Sequence, residues 1–153
     1  MTQEIKLTTD QMRLMSLFQN ITKATARDCV EDEKQNRIIF VVNEGKMGLA
    51  IGKGGSHIKQ LQNKIDRNVE LVEYSSDPIR FLKNILNEKY ILEIKMSEKL
   101  DGSNQAIVIV NSSKKGVVVG REGRNAEKAR LLARRYFDIT SVLINSEEIS
   151  LEW

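Results

Sequence analysis

The stretch Ile51-Gly52-Lys53-Gly54-Gly55-Ser56-His57-Ile58-Lys59-Gln60-Leu61 decides the fold, because the chain contains its pattern twice. The second copy begins at Val119 and runs Gly120-Arg121-Glu122-Gly123-Arg124-Asn125-Ala126-Glu127-Lys128. At an offset of 68 residues Gly48 matches Gly116, Gly52 matches Gly120 and Gly55 matches Gly123. Working outward, the β-branched run Arg37–Val42 (RIIFVV) lies over Gln105–Val110 (QAIVIV), each followed by an asparagine, Asn43 and Asn111. Further upstream, at an offset of 67, Asp10-Gln11-Met12-Arg13 lies over Asp77-Pro78-Ile79-Arg80. Two copies of roughly 70 residues therefore tile the 153-residue chain, as domains 1–75 and 76–153, with almost no linker. A unit that small buries well under the ~70% of its surface that a 150-residue domain buries, which predicts a fixed tandem rather than beads on a string.

Each copy reads as the same run of elements. A helix starts near Thr8, with Thr8 and Gln11 at capping-box spacing and Met12, Leu14, Met15, Phe18 and Ile21 recurring at helical spacing. Its counterpart takes Asp77 as N-cap and Pro78 at the first helical position, with Ile79, Phe81, Leu82, Ile85 and Leu86 as the apolar face. Strand pairs follow at 26–30 with 37–42 and at 91–96 with 105–110, joined by polar turns. A short helix, the glycine loop, a longer helix and a last strand (69–74 and 139–144) complete each copy. The class is α+β, with a three-stranded sheet on three helices in the order αββααβ.

Glycine permits positive φ and close approach of the backbone to a ligand. The N–H groups of the helix that follows, near Ser56 and Asn125, favour an anion. Lys53, Arg121 and Arg124 add mobile positive charge, so the device suits a phosphodiester backbone. A single Gly-x-x-Gly most often closes a tight helix–helix turn. Two copies at matched offsets, each between an apolar strand and an amphipathic helix, point instead to a ligand loop. A phosphate-binding P-loop is excluded, because Gly54 rather than Ser or Thr follows Lys53. The Gly-x-Gly-x-x-Gly dinucleotide spacing is absent as well.

Charge placement agrees. The chain carries 24 Lys+Arg and 21 Asp+Glu, a net charge of +3. Residues 43–67 hold five bases and two acids, residues 111–136 eight and two, so these segments carry +9 and the remainder −6. Part of this charge, such as Arg134 and Arg135, reads as a solvated helix face. One cysteine excludes an internal disulfide, and one histidine excludes a histidine-rich metal cluster. The longest apolar runs, about five residues, are far short of a membrane span. A cytoplasmic chain follows, with no signal peptide.

The Ile51–Leu61 stretch resembles the signature of KH domains, (V/I)-I-G-x-x-G-x-x-I-(K/R)-x-(I/L). The element order resembles the type II KH arrangement. The run from Val69 to Leu86, with its strand, Asp77-Pro78 and Phe81-x-x-Asn84-x-Leu86, resembles the junction between tandem KH domains of the NusA transcription factors. Gly120 to Leu132 resembles the glycine loop and helix of that family's second KH domain. The resemblance implies two tandem type II KH domains in the short archaeal form, without the polymerase-binding and S1 domains of bacterial relatives. It implies that Ile51, Gly52, Lys53, Gly54, Gly55, Ile58 and Lys59, with Gly120, Arg121, Glu122, Gly123, Arg124 and Lys128, bind single-stranded RNA, each loop clamping about four nucleotides. It also implies a monomer acting on the nascent transcript in termination or antitermination, with RNA polymerase as a further partner. No cofactor, metal or enzymatic activity is expected. The alternatives are a ribosome-associated or RNA-processing KH protein, and a polymerase-docking scaffold with vestigial loops.

Several residues carry their own expectations. Glu122 sets a carboxylate against phosphate, so the first loop is expected to clamp more strongly. Ala126, Ala129 and Ala133 stand where the first copy has Ile58, Leu61 and Ile65, which would draw the second helix closer to its sheet. Ile51, Ile58 and Val119 would line an aliphatic groove. The aromatics avoid the loops, which argues against a stacking platform. His57 reads as a partly exposed helix residue, Cys29 as core, and Trp153 as a cap on the sheet edge. Leu131 falls among Arg124, Lys128 and Arg135, and is expected to meet the other domain or the RNA.

Overall fold

The computed structural model describes residues 5–147, so Trp153 lies outside the described residues. These residues divide into two compact units, one spanning Lys6–Ser76 and the other beginning at Asp77.

In the first unit α1 (Thr9–Thr22) starts where local chemistry dictates. The Thr8 hydroxyl accepts the Gln11 N–H at 3.1 Å, and the Gln11 side chain accepts the Thr8 N–H at 3.0 Å. Two of the N–H groups that a helix start leaves unpaired are thereby satisfied. Phe18 is the buried anchor of α1, whereas Met12, placed by periodicity on the apolar face, is 51% exposed. Periodicity assigns it an angle, but the surface of the neighbouring elements ends before reaching it.

Strands β1 (Ala26–Asp32) and β2 (Arg37–Val42) pair antiparallel. The short α2 (Met47–Ile51) and the longer α3 (Ser56–Ile65) then carry the chain over to β3 (Asn68–Glu73), which pairs parallel to β2. The helix-facing core contains Phe18, Cys29, Ile38, Phe40, Val42, Ala50, Leu61 and Val69. The Phe18 and Phe40 rings stack at 4.7 Å between centroids.

The second unit repeats this order with α4 (Pro78–Ile85), β4 (Ile91–Glu98), β5 (Asn104–Val110), α5 (Lys115–Val119), α6 (Arg124–Phe137) and β6 (Ile139–Ser146). Asp77 caps α4 by accepting the Ile79 N–H at 3.0 Å, with Pro78 beginning the helix. The second sheet also orders as β4-β5-β6, antiparallel and then parallel. Both edge pairs are bulged at the same place, after Ala26 and after Ile91. At the β4–β5 turn Ser103 donates to Asp101 from its backbone and its hydroxyl, which holds the Asp101 carboxyl below the usual range.

Core positions coincide at the sequence offset. Phe40 and Val108, Val42 and Val110, Ala50 and Val118, and Leu61 and Ala129 are all fully buried. Ala126, Ala129 and Ala133 are buried as well. Phe81 takes Phe137 and Tyr136 edge-on at 5.6 Å and 5.5 Å.

The two middle strands differ. All six residues of β2 are buried, so both faces of the strand are covered, whereas β5 alternates and leaves Gln105, Ile107 and Ile109 half-buried. At the start of β2, Arg37 has a fully buried side chain. Its Nε donates to Asp32 at 2.8 Å, and a terminal nitrogen donates to Glu70 at 3.2 Å. One guanidinium thus ties the end of β1 to β3 through β2.

Candidate nucleic-acid interface

Each glycine loop is built by the same backbone hydrogen bonds. In the first unit the Lys46 N–H donates to the Asn43 carbonyl at 3.1 Å, Gly52 to Gly48 at 3.1 Å, and Gly55 to Gly52 at 3.1 Å. In the second, Lys114 donates to Asn111 at 2.9 Å, Gly120 to Gly116 at 3.0 Å, and Gly123 to Gly120 at 3.0 Å. Every donor and acceptor is displaced by the sequence offset.

The dihedral angles follow suit. Gly52 has φ 75° and ψ 166° against 83° and 163° at Gly120. Gly55 has 75° and 19° against 72° and 17° at Gly123. The third loop position is left-handed in both, at 63° and 21° for Gly54 and 57° and 26° for Glu122. Glycine adopts that conformation without a Cβ penalty, whereas another residue meets roughly 1–2 kcal/mol of steric cost. The second loop therefore reproduces the first in shape at the expense of backbone strain at Glu122.

Both loops lead directly into a helix. Both helices begin at a glycine, Gly55 for α3 and Gly123 for α6, so neither has a side-chain cap. Lys53, Gly54 and Lys59 are exposed in the first unit, and Arg121 and Glu122 in the second. Ile51, Gly52, Gly55 and Ile58 are half-buried beside the first loop, as are Gly120, Gly123 and Arg124 beside the second. Lys128 stands apart from the other proposed site residues, being only 8% exposed.

Pairing also thins the basic set, by a contact between distant residues in one case and by a neighbour on the same helix in the other. Arg67 forms an ion pair with Glu31 at 3.3 Å, and Arg130 pairs with Glu127 at 2.9 Å. Lys53, Lys59 and Arg121 form no ion pair among the described residues.

Two residues at the site escaped the sequence argument. Leu49 on α2 is 46% exposed and Val117 on α5 is 50% exposed, and they occupy equivalent positions in the two copies. The repeat alignment itself was the signal that pairs them. Half-buried Ile51, Ile58 and Val119 extend this aliphatic surface. Leu131, on α6, is 38% exposed. His57 is half-buried, and its Nδ1 lies 2.8 Å from the Leu49 carbonyl oxygen. Cys29 is fully buried, and Phe18, Phe40 and Phe81 are core residues, while Phe137 is half-buried.

Among the described residues no cluster of His, Cys, Asp and Glu could hold a metal, and no helix is long and apolar enough to cross a membrane.

The KH-domain family model matches this chain twice, over residues 13–95 and 78–153. A "Probable transcription termination protein NusA" from Halobacterium salinarum is 36% identical over 138 residues, spanning 90% of this chain and 96% of that protein. The "Transcription termination/antitermination protein NusA" of Bacillus subtilis is 27% identical over 96 residues, 62% of this chain but 25% of its own. The crystal structure of APE1850 superposes with a TM-score of 0.82 at 40% identity, covering 90% of this chain and 99% of that one.

Proposed function

This chain belongs to the archaeal NusA family of tandem type II KH-domain proteins, and from that premise we propose that it binds single-stranded RNA and acts in transcription termination or antitermination. The observation that carries the proposal is the duplicated loop, in which two backbone cradles of matching dihedrals present uncapped helix N–H groups beside exposed cations. Such a cradle takes phosphodiester oxygens by backbone donors and dipole, while aliphatic side chains such as Leu49 and Val117 offer apolar contact to sugars and bases.

The site comprises Ile51 to Gly55, Ile58 and Lys59 in a first domain of residues 1–75, and Gly120 to Arg124 in a second of residues 76–153. The first loop is the stronger clamp, because Glu122 puts a carboxylate where the second loop would meet phosphate. The partner is the nascent transcript, with RNA polymerase as a further protein contact, and the protein works as a monomeric, cytoplasmic, non-enzymatic binding module.

The test is the Lys53→Asp, Gly54→Asp double variant, measured with a labelled single-stranded RNA oligomer. A Cβ at Gly54 meets nothing within 4 Å, and aspartate tolerates the left-handed conformation, so the fold is retained. RNA binding is expected to be lost. Equal binding by variant and wild type would refute the clamp. A wild type that captured polymerase but bound no RNA would support the scaffold function instead.

A further inference from the structure

We propose that His57 is a positioning residue of the first loop, its imidazole tying together the helices on either side and holding Gly52–Gly55 in the receptive shape. The proposal rests on the RNA-clamping function above. His57 is the second residue of α3, and its Nδ1 reaches back 2.8 Å to the carbonyl oxygen of Leu49 on α2. The last carbonyls of a helix have no N–H partner within it. A carbonyl only accepts, so Nδ1 carries the proton and donates. The bond closes a ring of chain around the loop, running from α2 through Gly52–Gly55 to α3 and back.

The glycine beneath explains why the ring closes so tightly. A Cβ built on Gly52 would stand 2.7 Å from both Cγ and Nδ1 of His57. Nothing larger than hydrogen fits between the loop and the imidazole. The second loop has a different side chain lying in the equivalent place. A Cβ on Gly120 would stand 2.9 Å from Cγ and Nδ2 of Asn125, the residue equivalent to His57. Two different polar side chains thus lie over the first glycine of the two loops. A loop held in shape before RNA arrives loses less conformational freedom on binding.

The chain has a single histidine, so the imidazole can be observed without ambiguity. In the RNA-free protein, nitrogen-15 NMR is expected to show the Nδ1–H tautomer. An Nε2–H or averaged tautomer would overturn the clasp whatever the protein binds. With the same RNA oligomer, His57→Ala is expected to weaken binding about three- to tenfold, the worth of one net hydrogen bond. Its dependence on salt should not change, because no phosphate contact is lost. His57→Asn, whose amide nitrogen stands close to the place of Nδ1 and donates, should recover most of the affinity and keeps the test valid if His57→Ala unfolds.

Three results would each overturn the positioning role: wild-type affinity in a folded His57→Ala, a shallower salt slope in that variant, or no rescue by His57→Asn. If the Lys53→Asp, Gly54→Asp variant bound RNA normally, the assignment of the first loop as the RNA clamp would fall, whereas the tautomer would still decide the clasp.

Discussion

Removal of one loop cation should change the salt dependence of RNA binding by a calculable amount. Binding to single strands releases counterions, and the slope of log K against log salt is about −0.7 per neutralised phosphate. Burial and pairing limit which cations count. Lys128 is 8% exposed, and Arg67 and Arg130 are held by Glu31 and Glu127. Lys53, Lys59 and Arg121 are exposed at the loops or in the turn that follows. Three phosphate contacts give a slope of about −2, so affinity should fall roughly 20-fold between about 50 mM and 200 mM salt. Lys53→Gln should flatten the slope by about 0.7, and Arg121→Gln by a similar amount if the second loop also works. Lys128→Gln should leave it unchanged. Fluorescence anisotropy with a short labelled single-stranded RNA, titrated at five or six salt concentrations, reads each slope. A wild-type slope near zero, or one that Lys53→Gln does not alter, would refute the assignment of these cations to phosphate.

Two further substitutions test the structural reasoning. Glu122→Gly relieves the left-handed strain and removes the opposing carboxylate; after allowance for the extra freedom of glycine in the unfolded chain it should stabilise the protein by about 0.5–1 kcal/mol in urea unfolding and tighten RNA binding. Arg37→Met leaves Asp32 and Glu70 without their shared guanidinium and should cost about 3 kcal/mol, whereas Arg80→Met, from the exposed pair with Glu88, should cost under about 1 kcal/mol by the same measurement.

Features closed within a few residues were legible in the sequence. The Thr8–Gln11 capping box and the Asp77–Pro78 helix start each involve groups no more than three positions apart, and both occur as read. The repeat offset located both glycine loops and the order of elements, since matched glycines and apolar runs constrain the backbone the same way wherever they occur. Helical periodicity was less reliable at the margin, where Met12 lies beyond the covering surface.

Length, repeat, element order, helix caps and the loop glycines were thus determined by the sequence alone, because each is a property of local backbone chemistry. Tertiary structure decided which side chains are available to a ligand. It buried Lys128, paired Arg67 with Glu31, and enclosed Arg37 between two carboxylates. It covered both faces of β2 yet left one face of β5 half-open, although both are apolar runs rich in Ile and Val. It also brought the His57 imidazole back onto the Leu49 carbonyl across the loop. The reason is physical: burial and pairing depend on what the rest of the chain lays over a residue, and that surface is made of elements distant in sequence.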